Sequence, residues 1–403
     1  MPRANRLVWL DVTKGLAILW VVYFHLFGTY APDAPSPISG HFMADVAGAH
    51  GWADLGSAVQ TVGRFLAYAP VGLGFHGVGL FLIVSGWSLT QSCAKQARAG
   101  AVSWPAWYRK KLLRLFPMYW VAHLVYLACC LASYVTGRTV LVDQFEPVDG
   151  RLWYSLSGLR FIDIDSNFFY INAAWWYFTL LIQLYLLFPL LFVCLRRYGV
   201  ARFFLGACVV GVGLRYLMLT VAPYHEAFWG FSNGSWIQGG LGLCRLPEFA
   251  LGMGLGIWHQ KHPERVERLL LGGPGLLLGA AAYPLALRLY GSLNGYVLVD
   301  LCTGLCFFLL TVGIAGLVGG TSRLGRMFAI CGAYSYGIYL LHQPHIIFLG
   351  LRIGALPPAA FAVAALAGIA AVSGVAIVIE KAVNSLVERF LALAVGRVHP
   401  AVR

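Results

Sequence analysis

The chain has 403 residues, of which 59% are hydrophobic and 11% charged, and it carries a formal net charge of +13. A soluble domain contains roughly 25% charged residues, so this composition excludes an ordinary soluble protein and indicates a polytopic membrane protein. The mean hydropathy of +0.73 agrees with that class.

Apolar runs of about twenty residues have the length that crosses a bilayer as a helix. The sequence predicts about ten such transmembrane helices, and therefore an all-α polytopic membrane protein with one membrane-embedded domain over residues 1–403. The first run lacks a small-residue cleavage site, so it is predicted as a retained helix and not as a signal peptide. The predicted spans are 8–28, 70–92, 115–135, 173–194, 203–222, 238–258, 269–289, 296–318, 327–349 and 358–379.

Basic residues are concentrated on one side of the predicted membrane, and acidic residues on the other. By the positive-inside rule the basic side is cytoplasmic, and both the N-terminus and the C-terminus lie there. The positive charge is therefore a topology signal, and we expect no nucleic acid as a partner. The basic set is Arg3, Arg6, Lys95, Arg98, Arg109, Lys110, Lys111, Arg114, Arg196, Arg197, Arg202, Lys261, Arg265, Arg268, Arg323 and Arg326. The acidic set is Asp33, Asp45, Asp54, Asp143, Glu146, Asp149, Asp163 and Asp165.

The nine cysteines lie almost wholly within predicted spans or at their inner ends. No two of them have the CxxC spacing of a zinc site, and the long outer loops 29–69 and 136–172 contain none. We therefore expect neither a disulfide framework nor a bound metal. Loops of that length at a membrane surface are more often binding elements than plain connectors.

The first predicted span contains three ionisable residues, Asp11, Lys14 and His25, in the stretch LDVTKGLAILWVVYFH. An α-helix turns about 100° and rises 1.5 Å per residue, so Lys14 and His25 lie on nearly the same face, about 16 Å apart along the axis. Asp11 precedes Lys14 by one turn and can pair with it. Either residue alone can be an interfacial lysine or a packed histidine, but three such groups on one face favour a functional site.

These residue types suit a reaction between an anionic donor and an alcohol. The imidazole of His25 is suited to accept a proton from a hydroxyl near neutral pH. The ammonium of Lys14, which Asp11 would hold in place and keep charged, suits a phosphate or a carbonyl near the cytoplasmic rim. The first span therefore predicts a cytoplasmic donor and a hydroxyl-bearing acceptor.

Polar candidates in the second and third spans each have a structural alternative. Ser85 lies in a small-residue patch that either allows close helix packing or contacts the donor. Lys110, Lys111 and Arg114 either anchor the third span as positive-inside residues or hold the phosphates of a nucleotide, which needs several cations at one entrance.

Two further pairs occur later in the chain. Arg245 and Glu248 are one turn apart and either tie helices together or line a cavity, on the acceptor side of the site or as supports of His25. Tyr339 and His342 are three residues apart on one face, and they either pack in the bundle or orient a substrate. Three more polar residues fall in predicted spans without a predicted role: His123, Arg215 and Asp300.

Taken in order, six stretches resemble the acyltransferase-3 family of integral-membrane O-acyltransferases, and the resemblance covers nearly the whole chain. They are LDVTKG followed by His25, GVGLFLIVSGWSLT (77–90), RKKLLRLFPMYW (109–120), WWYFTLLIQLYLLFP (175–189), RLPEFALGMGLG (245–256) and YSYGIYLLHQP (334–344). The resemblance implies transfer of an acyl group, usually acetyl from acetyl-CoA, to a hydroxyl of an extracytoplasmic carbohydrate or glycolipid.

The resemblance also implies roles for individual residues. The family's basic residue and histidine of the first span carry over to Lys14 and His25, and its basic pair at the entry of the third span carries over to Lys111 and Arg114. No bound cofactor is implied, because acyl-CoA is the donor substrate.

This chain departs from the family pattern at two positions. Many members have an acid where this chain has Gly79 and another where it has Leu181. Another carboxylate must take that role here, or the role is absent.

We therefore expect a membrane-bound O-acyltransferase of a bacterial cytoplasmic (inner) membrane, with His25, Lys14 and Asp11 as catalytic residues. His25 either acts as general base on the acceptor hydroxyl or takes the acyl group itself before passing it on. The enzyme's expected partners are acyl-CoA, a carbohydrate or glycolipid acceptor and the lipid bilayer, and it can form a homo-oligomer. A secondary transporter or flippase of a glycan or lipid-linked sugar is the alternative, because buried charged pairs and glycine-broken spans also suit transport. The chain shows no convincing repeat of the kind that would favour a transporter.

Overall fold

The computed structural model describes residues 7–30, 42–47, 54–142, 148–168, 170–221 and 239–396. Within these ranges the chain forms α-helices and short 3-10 helices and contains no strand. The all-α fold class predicted from the apolar runs is thereby confirmed.

The helices are numbered in chain order. They are α1 (Val8–Tyr30), α2 (Phe42–Ala47), α3 (Leu55–Gly72), α4 (Gly77–Arg98), α5 (Trp104–Thr136), α6 (Arg151–Ser157), α7 (Ile164–Asn167), α8 (Trp176–Val221), α9 (Leu246–Lys261), α10 (Pro263–Leu270), α11 (Gly273–Leu287), α12 (Leu293–Val318), α13 (Arg323–Ala333), α14 (Ser335–Ile353) and α15 (Pro358–Gly396). Short 3-10 helices occupy Arg160–Asp163, Ala173–Trp175 and Arg288–Gly291.

Six helices in the described ranges have the length and apolar composition to cross a membrane, and a seventh span results if the bent pair α10 and α11 counts as one. The element α8 contains a non-helical glycine, Gly199, with φ 76°. The predicted spans 173–194 and 203–222 are therefore joined end to end in one kinked element. The total of ten spans and the cytoplasmic orientation of the termini stay predictions.

Several predicted boundaries are wrong. The predicted span 327–349 is broken at Tyr334, between α13 and α14. The N–H of Gly337 in the first turn of α14 donates to a Glu380 carboxylate oxygen, 2.8 Å away, so a carboxylate from another helix satisfies a group that a continuous helix would have paired. The last span continues past 379 to Gly396, because a helix does not end where its apolar stretch ends.

The predicted outer loop 29–69 also differs from the structure. It contains α2 and most of α3, and Asp54 caps α3 by accepting a hydrogen bond from the Ser57 N–H. The predicted loop 136–172 likewise contains α6 and α7. The start of the predicted span 238–258 lies partly outside the described residues, and α9 begins at Leu246.

Helix α1 packs against α4, α12, α13, α14 and α15 and therefore lies inside the bundle. Its tightest crossing is with α13. A Cβ atom at Gly15 would overlap the carbonyl oxygen of Phe328, and one at Gly332 would overlap the carbonyl oxygen of Asp11. Small residues at a helix crossing allow backbones to approach closely in a membrane. The glycine pair thus sets the position of the helix that carries Lys14 and His25.

This crossing gives a stability prediction. Gly15→Ala adds a methyl group against the backbone of α13, and we expect a loss of about 2 kcal/mol or more, because neither backbone can move aside cheaply. The matched control is Gly28→Ala on the same helix, where a Cβ has no atom within 4 Å. Thermal unfolding of the detergent-solubilised chain measures both variants, and equal melting temperatures for the two would contradict this packing.

Candidate active site

Two histidines from different helices face each other inside the bundle. His25 on α1 and His342 on α14 have ring centroids 5.1 Å apart in an edge-to-face arrangement. His342 is fully buried and His25 is partly buried. The structure therefore brings together two predicted site residues that lie more than three hundred positions apart in the sequence.

Hydrogen bonds indicate the same tautomer for both rings. The Nδ1 atom of His25 lies 2.9 Å from the Val21 carbonyl oxygen, and the Nδ1 atom of His342 lies 2.8 Å from the Tyr339 carbonyl oxygen. A carbonyl oxygen only accepts, so each Nδ1 carries a proton, and in the neutral form of each ring Nε2 is the basic nitrogen. The Nε2 atom of His342 is buried and has no hydrogen-bond partner within the described part of the chain.

The segment before α8 holds α14 in place. The Tyr339 hydroxyl donates to the Ala174 carbonyl oxygen at 2.6 Å and accepts from the Phe178 N–H at 3.0 Å. The indole N–H of Trp175 donates to the Leu340 carbonyl oxygen at 2.8 Å. The Tyr339 side chain is thus used in structural hydrogen bonds that fix the helix bearing His342.

A second polar group surrounds Lys14 on α1, about 16 Å from His25 along the helix axis. The predicted pair is present, with the Lys14 ammonium 2.6 Å from an Asp11 carboxylate oxygen. Glu380 of α15 is buried and lies within electrostatic reach of both Lys14 and Arg114. We call Asp11, Lys14, Arg114 and Glu380 the lysine group, and it joins cations that the sequence placed in separate spans.

Glu380 was missed from the sequence. It lies one residue beyond the predicted end of the last span, so it reads as the first polar residue of a cytoplasmic tail. One signal was available in the sequence: the helical pattern continues beyond Glu380. A continuous helix at this position can place the carboxylate inside the bundle.

Lys111 lies one turn before Arg114 on α5 and within electrostatic reach of it. Its ammonium lies over the rings of Trp107 and Tyr185, 5.6 and 5.9 Å from their centroids. Together with Lys110 it lines a cavity of about 160 Å³ between the end of α4 and the start of α5. The other polar lining residues are Ser92, Gln96 and Ser103. Of the three predicted donor-binding cations, Lys110 and Lys111 therefore line this cavity, whereas Arg114 does not line it and lies within electrostatic reach of both Lys111 and Glu380.

Arg245 and Glu248 form the predicted ion pair, with 2.9 Å between Nε and Oε1. The pair is part of a larger network, because Arg245 also contacts Asp300, and Arg215 lies 2.7 Å from the same Asp300 carboxylate. Four charged residues from α8, α9, α12 and the segment before α9 thus neutralise one another. We call Arg215, Arg245, Glu248 and Asp300 the ion-pair network.

Four polar atoms in or beside this network have no hydrogen-bond partner in the described ranges. They are the two ring nitrogens of His76, the Tyr290 hydroxyl oxygen and the Oε2 atom of Glu248. The side chains of these three residues are more than nine-tenths buried. The network is linked to His25 by rings, since Phe75 contacts both His76 and Phe24, and Phe24 contacts His25. His76 had no role in the sequence analysis, since nothing in its local pattern separates it from a packed histidine.

Gly79 lies at a close approach of α4 and α12. A Cβ there would be 2.9 Å from the Gly304 Cα and 3.2 Å from the Asp300 carbonyl oxygen, so an acid at this position cannot fit without moving α12. Asp300 brings a carboxylate to the same region. Leu181 lies in an apolar core cluster, and Ser85 does not line the cavity between α4 and α5.

His123 also has a structural explanation. Its Nε2 lies 2.7 Å from the Ser155 hydroxyl, to which Arg160 donates at 2.6 Å. This buried cluster attaches the predicted loop 136–172 to the bundle. No group of three or more histidine, cysteine or acidic side chains in the described ranges has the geometry of a metal site.

Comparison with known families decides the class of protein. A family model described as an acyltransferase domain, that of the acyltransferase-3 family, matches residues 7–379. The chain belongs to the acyltransferase-3 family. The family resemblance predicted from the six stretches is confirmed. No curated protein and no solved structure matches the chain.

The lysine group gives a second stability prediction. Glu380→Gln keeps an oxygen that can accept from Gly337 N–H but removes the charge facing Lys14 and Arg114, so we expect a loss on the order of 1–3 kcal/mol. Glu388→Gln, on an exposed position of the same helix, is the control and is expected to unfold like the wild type. If both variants melt at the wild-type temperature, Glu380 is not the counter-charge of these cations.

Proposed function

We propose that this protein transfers an acetyl group from cytoplasmic acyl-CoA to a hydroxyl of an extracytoplasmic carbohydrate or glycolipid. The observation that carries the proposal is the arrangement along α1. His25 lies beside His342 toward one end of this helix, and the lysine group lies toward its other end, about 16 Å away. A base and a set of cations are thus held at the two ends of one buried helix. Family membership supports acyl transfer over the transport of a glycan.

His25 is the general base of the proposed reaction. Its Nε2 takes the proton of the acceptor hydroxyl while the oxygen attacks the thioester carbonyl carbon. The new C–O bond forms and the C–S bond breaks, and the CoA thiolate then takes the proton from the imidazolium. The Val21 carbonyl favours this use of Nε2, because it holds the other ring nitrogen in its protonated form.

His342 keeps the base and the acceptor in position. Its ring lies 5.1 Å from that of His25, and its buried Nε2, which has no hydrogen-bond partner within the described chain, can accept a hydrogen bond from a second hydroxyl of the acceptor. The hydrogen bonds from the segment before α8 fix the backbone that carries it.

The donor enters at the opposite end. Lys110, Lys111 and Arg114 attract its phosphates, and Lys14, held by Asp11, contacts the pantetheine or pyrophosphate end. The pantetheine arm then runs along α1 toward His25. Both termini would be cytoplasmic in a bacterial inner membrane, as the placement of the basic residues predicts.

The ion-pair network lies on the acceptor side of the proposed site. Its two arginines and two carboxylates balance, so a charged ligand would meet a like charge, whereas the unpartnered His76, Tyr290 and Glu248 atoms include donors and acceptors. Neutral sugar hydroxyls both donate and accept. This chemistry favours an uncharged sugar as the acceptor.

The role of His25 is tested by the release of free CoA thiol from acetyl-CoA, with the methyl glycosides of glucose, galactose and mannose as acceptor probes. His25→Ala is expected to lower kcat by about 10²- to 10⁴-fold, the usual contribution of a general base. The control His262→Ala, on an exposed residue, should keep wild-type rates. Unchanged thiol release in His25→Ala would contradict the role of His25 as general base. An acetylated protein trapped after incubation with labelled donor would contradict direct transfer.

The acceptor side is tested with Tyr290→Phe. Because the Tyr290 hydroxyl has no partner within the described chain, its removal is expected to leave the melting temperature unchanged or raised. The KM for the methyl glycosides should rise about 3- to 10-fold, the loss of one neutral hydrogen bond.

Tyr283→Phe is the matched control for that variant. The Tyr283 hydroxyl donates to the Ala69 carbonyl oxygen at 3.2 Å, so this variant should lose stability and keep the wild-type KM. A Tyr290→Phe protein with unchanged KM for all three glycosides would show that the unpartnered hydroxyl does not meet the acceptor.

A further inference from the structure

The phosphates of CoA are of two kinds, and two of the cations predicted to bind them, Lys110 and Lys111, line the cavity between α4 and α5, whereas Arg114 does not. A phosphate monoester, such as the 3′-phosphate of CoA, carries a charge of about −1.5 to −2 at pH 7. Each phosphate of the pyrophosphate bridge carries a single charge. A protein that separates its cations can therefore hold the two kinds of phosphate at different sites.

The charges of the lysine group and of this cavity differ. In the lysine group Lys14 pairs with Asp11, and Glu380 lies within electrostatic reach of Lys14 and Arg114, so the two positive and two negative charges of the group offset one another. The cavity between α4 and α5 is lined by Lys110 and Lys111 and by no acidic residue. The more highly charged phosphate fits the place where the cations are unopposed.

The cavity also has the other groups that an anion needs. It lies at the N-terminus of α5, where backbone N–H groups and the helix dipole favour negative charge. Ser103, the residue before that helix, makes no side-chain capping hydrogen bond and lines the cavity with Ser92 and Gln96. Lys111 is held over two aromatic rings, so its ammonium is already positioned.

The spacing agrees with the order of groups in CoA. Lys110 and Lys111 precede Arg114 by about one turn, or about 5 Å along α5, toward the start of the helix. The ribose 3′-phosphate lies beyond the pyrophosphate as seen from the thioester. With the thioester at His25 and the pyrophosphate near Lys14 and Arg114, the 3′-phosphate falls on the cavity side.

We propose that the cavity formed by Lys110 and Lys111 binds the 3′-phosphate of the acyl-CoA donor, and that the protein thereby selects CoA over donors that lack this phosphate. The proposal rests on the proposed function, since it needs acyl-CoA as the donor. It assigns Arg114 and Lys14 to the remainder of the donor, common to CoA and dephospho-CoA.

The test is equilibrium binding of CoA and of dephospho-CoA to the solubilised full chain, measured by calorimetry, with the KM of the two acetylated donors alongside. The wild type should bind CoA about tenfold or more tightly, as expected for a lost charge-assisted contact. Lys110→Ala should weaken CoA binding and leave dephospho-CoA binding unchanged, so the preference falls toward one. Arg114→Ala should weaken both ligands equally and keep the preference.

Two controls keep these results distinct from misfolding. Arg109→Ala changes the neighbouring cation, which does not line the cavity, and should keep the preference. Lys111→Gln tests the second lysine, with its melting temperature measured because that side chain also packs on aromatic rings.

Each outcome decides the proposal. Equal binding of CoA and dephospho-CoA by the wild type, or an equal loss of both in Lys110→Ala, overturns this inference and leaves the acyltransferase function standing. Failure of the wild type to bind CoA at all overturns the donor assignment itself. Binding that follows the expected pattern in a chain without thiol release would support the cavity and refute the proposed reaction.

Discussion

A charged side chain inside a bilayer is expensive unless another charge or hydrogen bond compensates it. This constraint accounts for most of the polar architecture. Arg215 and Arg245 share the carboxylate of Asp300, and Glu248 completes the balance. Each charged residue of the network therefore fixes the position of another, and together they hold α8, α9 and α12 in one arrangement.

The same constraint separates the two ends of α1. Lys14 is paired with Asp11 of α1 and lies within electrostatic reach of Glu380 of α15, whereas the level of His25 contains imidazole and aromatic rings. A neutral imidazole can be buried without a counter-ion, provided one nitrogen is hydrogen-bonded, and it keeps a basic nitrogen for chemistry. The helix thus combines a charged end suited to an anionic donor with an uncharged, basic interior suited to a hydroxyl.

Local pairing was predictable and long-range pairing was not. The Asp11–Lys14 and Arg245–Glu248 pairs follow from a spacing of one helical turn, which the sequence displays directly. The meeting of His25 with His342, and of Lys14 with Glu380, depends on which helices are neighbours, and no periodicity encodes that. The helix break at Gly199 falls between two predicted spans, whereas the break at Tyr334 was missed, since an apolar run predicts the length of a span but not the capping contact that ends it.

The two departures from the family pattern have different physical explanations. At Leu181 the side chain fills an apolar core cluster, so an acid would be buried there without a described partner. At Gly79 the absence of a side chain lets α4 approach the Cα of Gly304 and the backbone of Asp300, and this close approach places the Asp300 carboxylate beside the start of α4. The carboxylate that Arg215 and Arg245 share therefore comes from α12, and the contact between the two backbones leaves no room for an acidic side chain at Gly79.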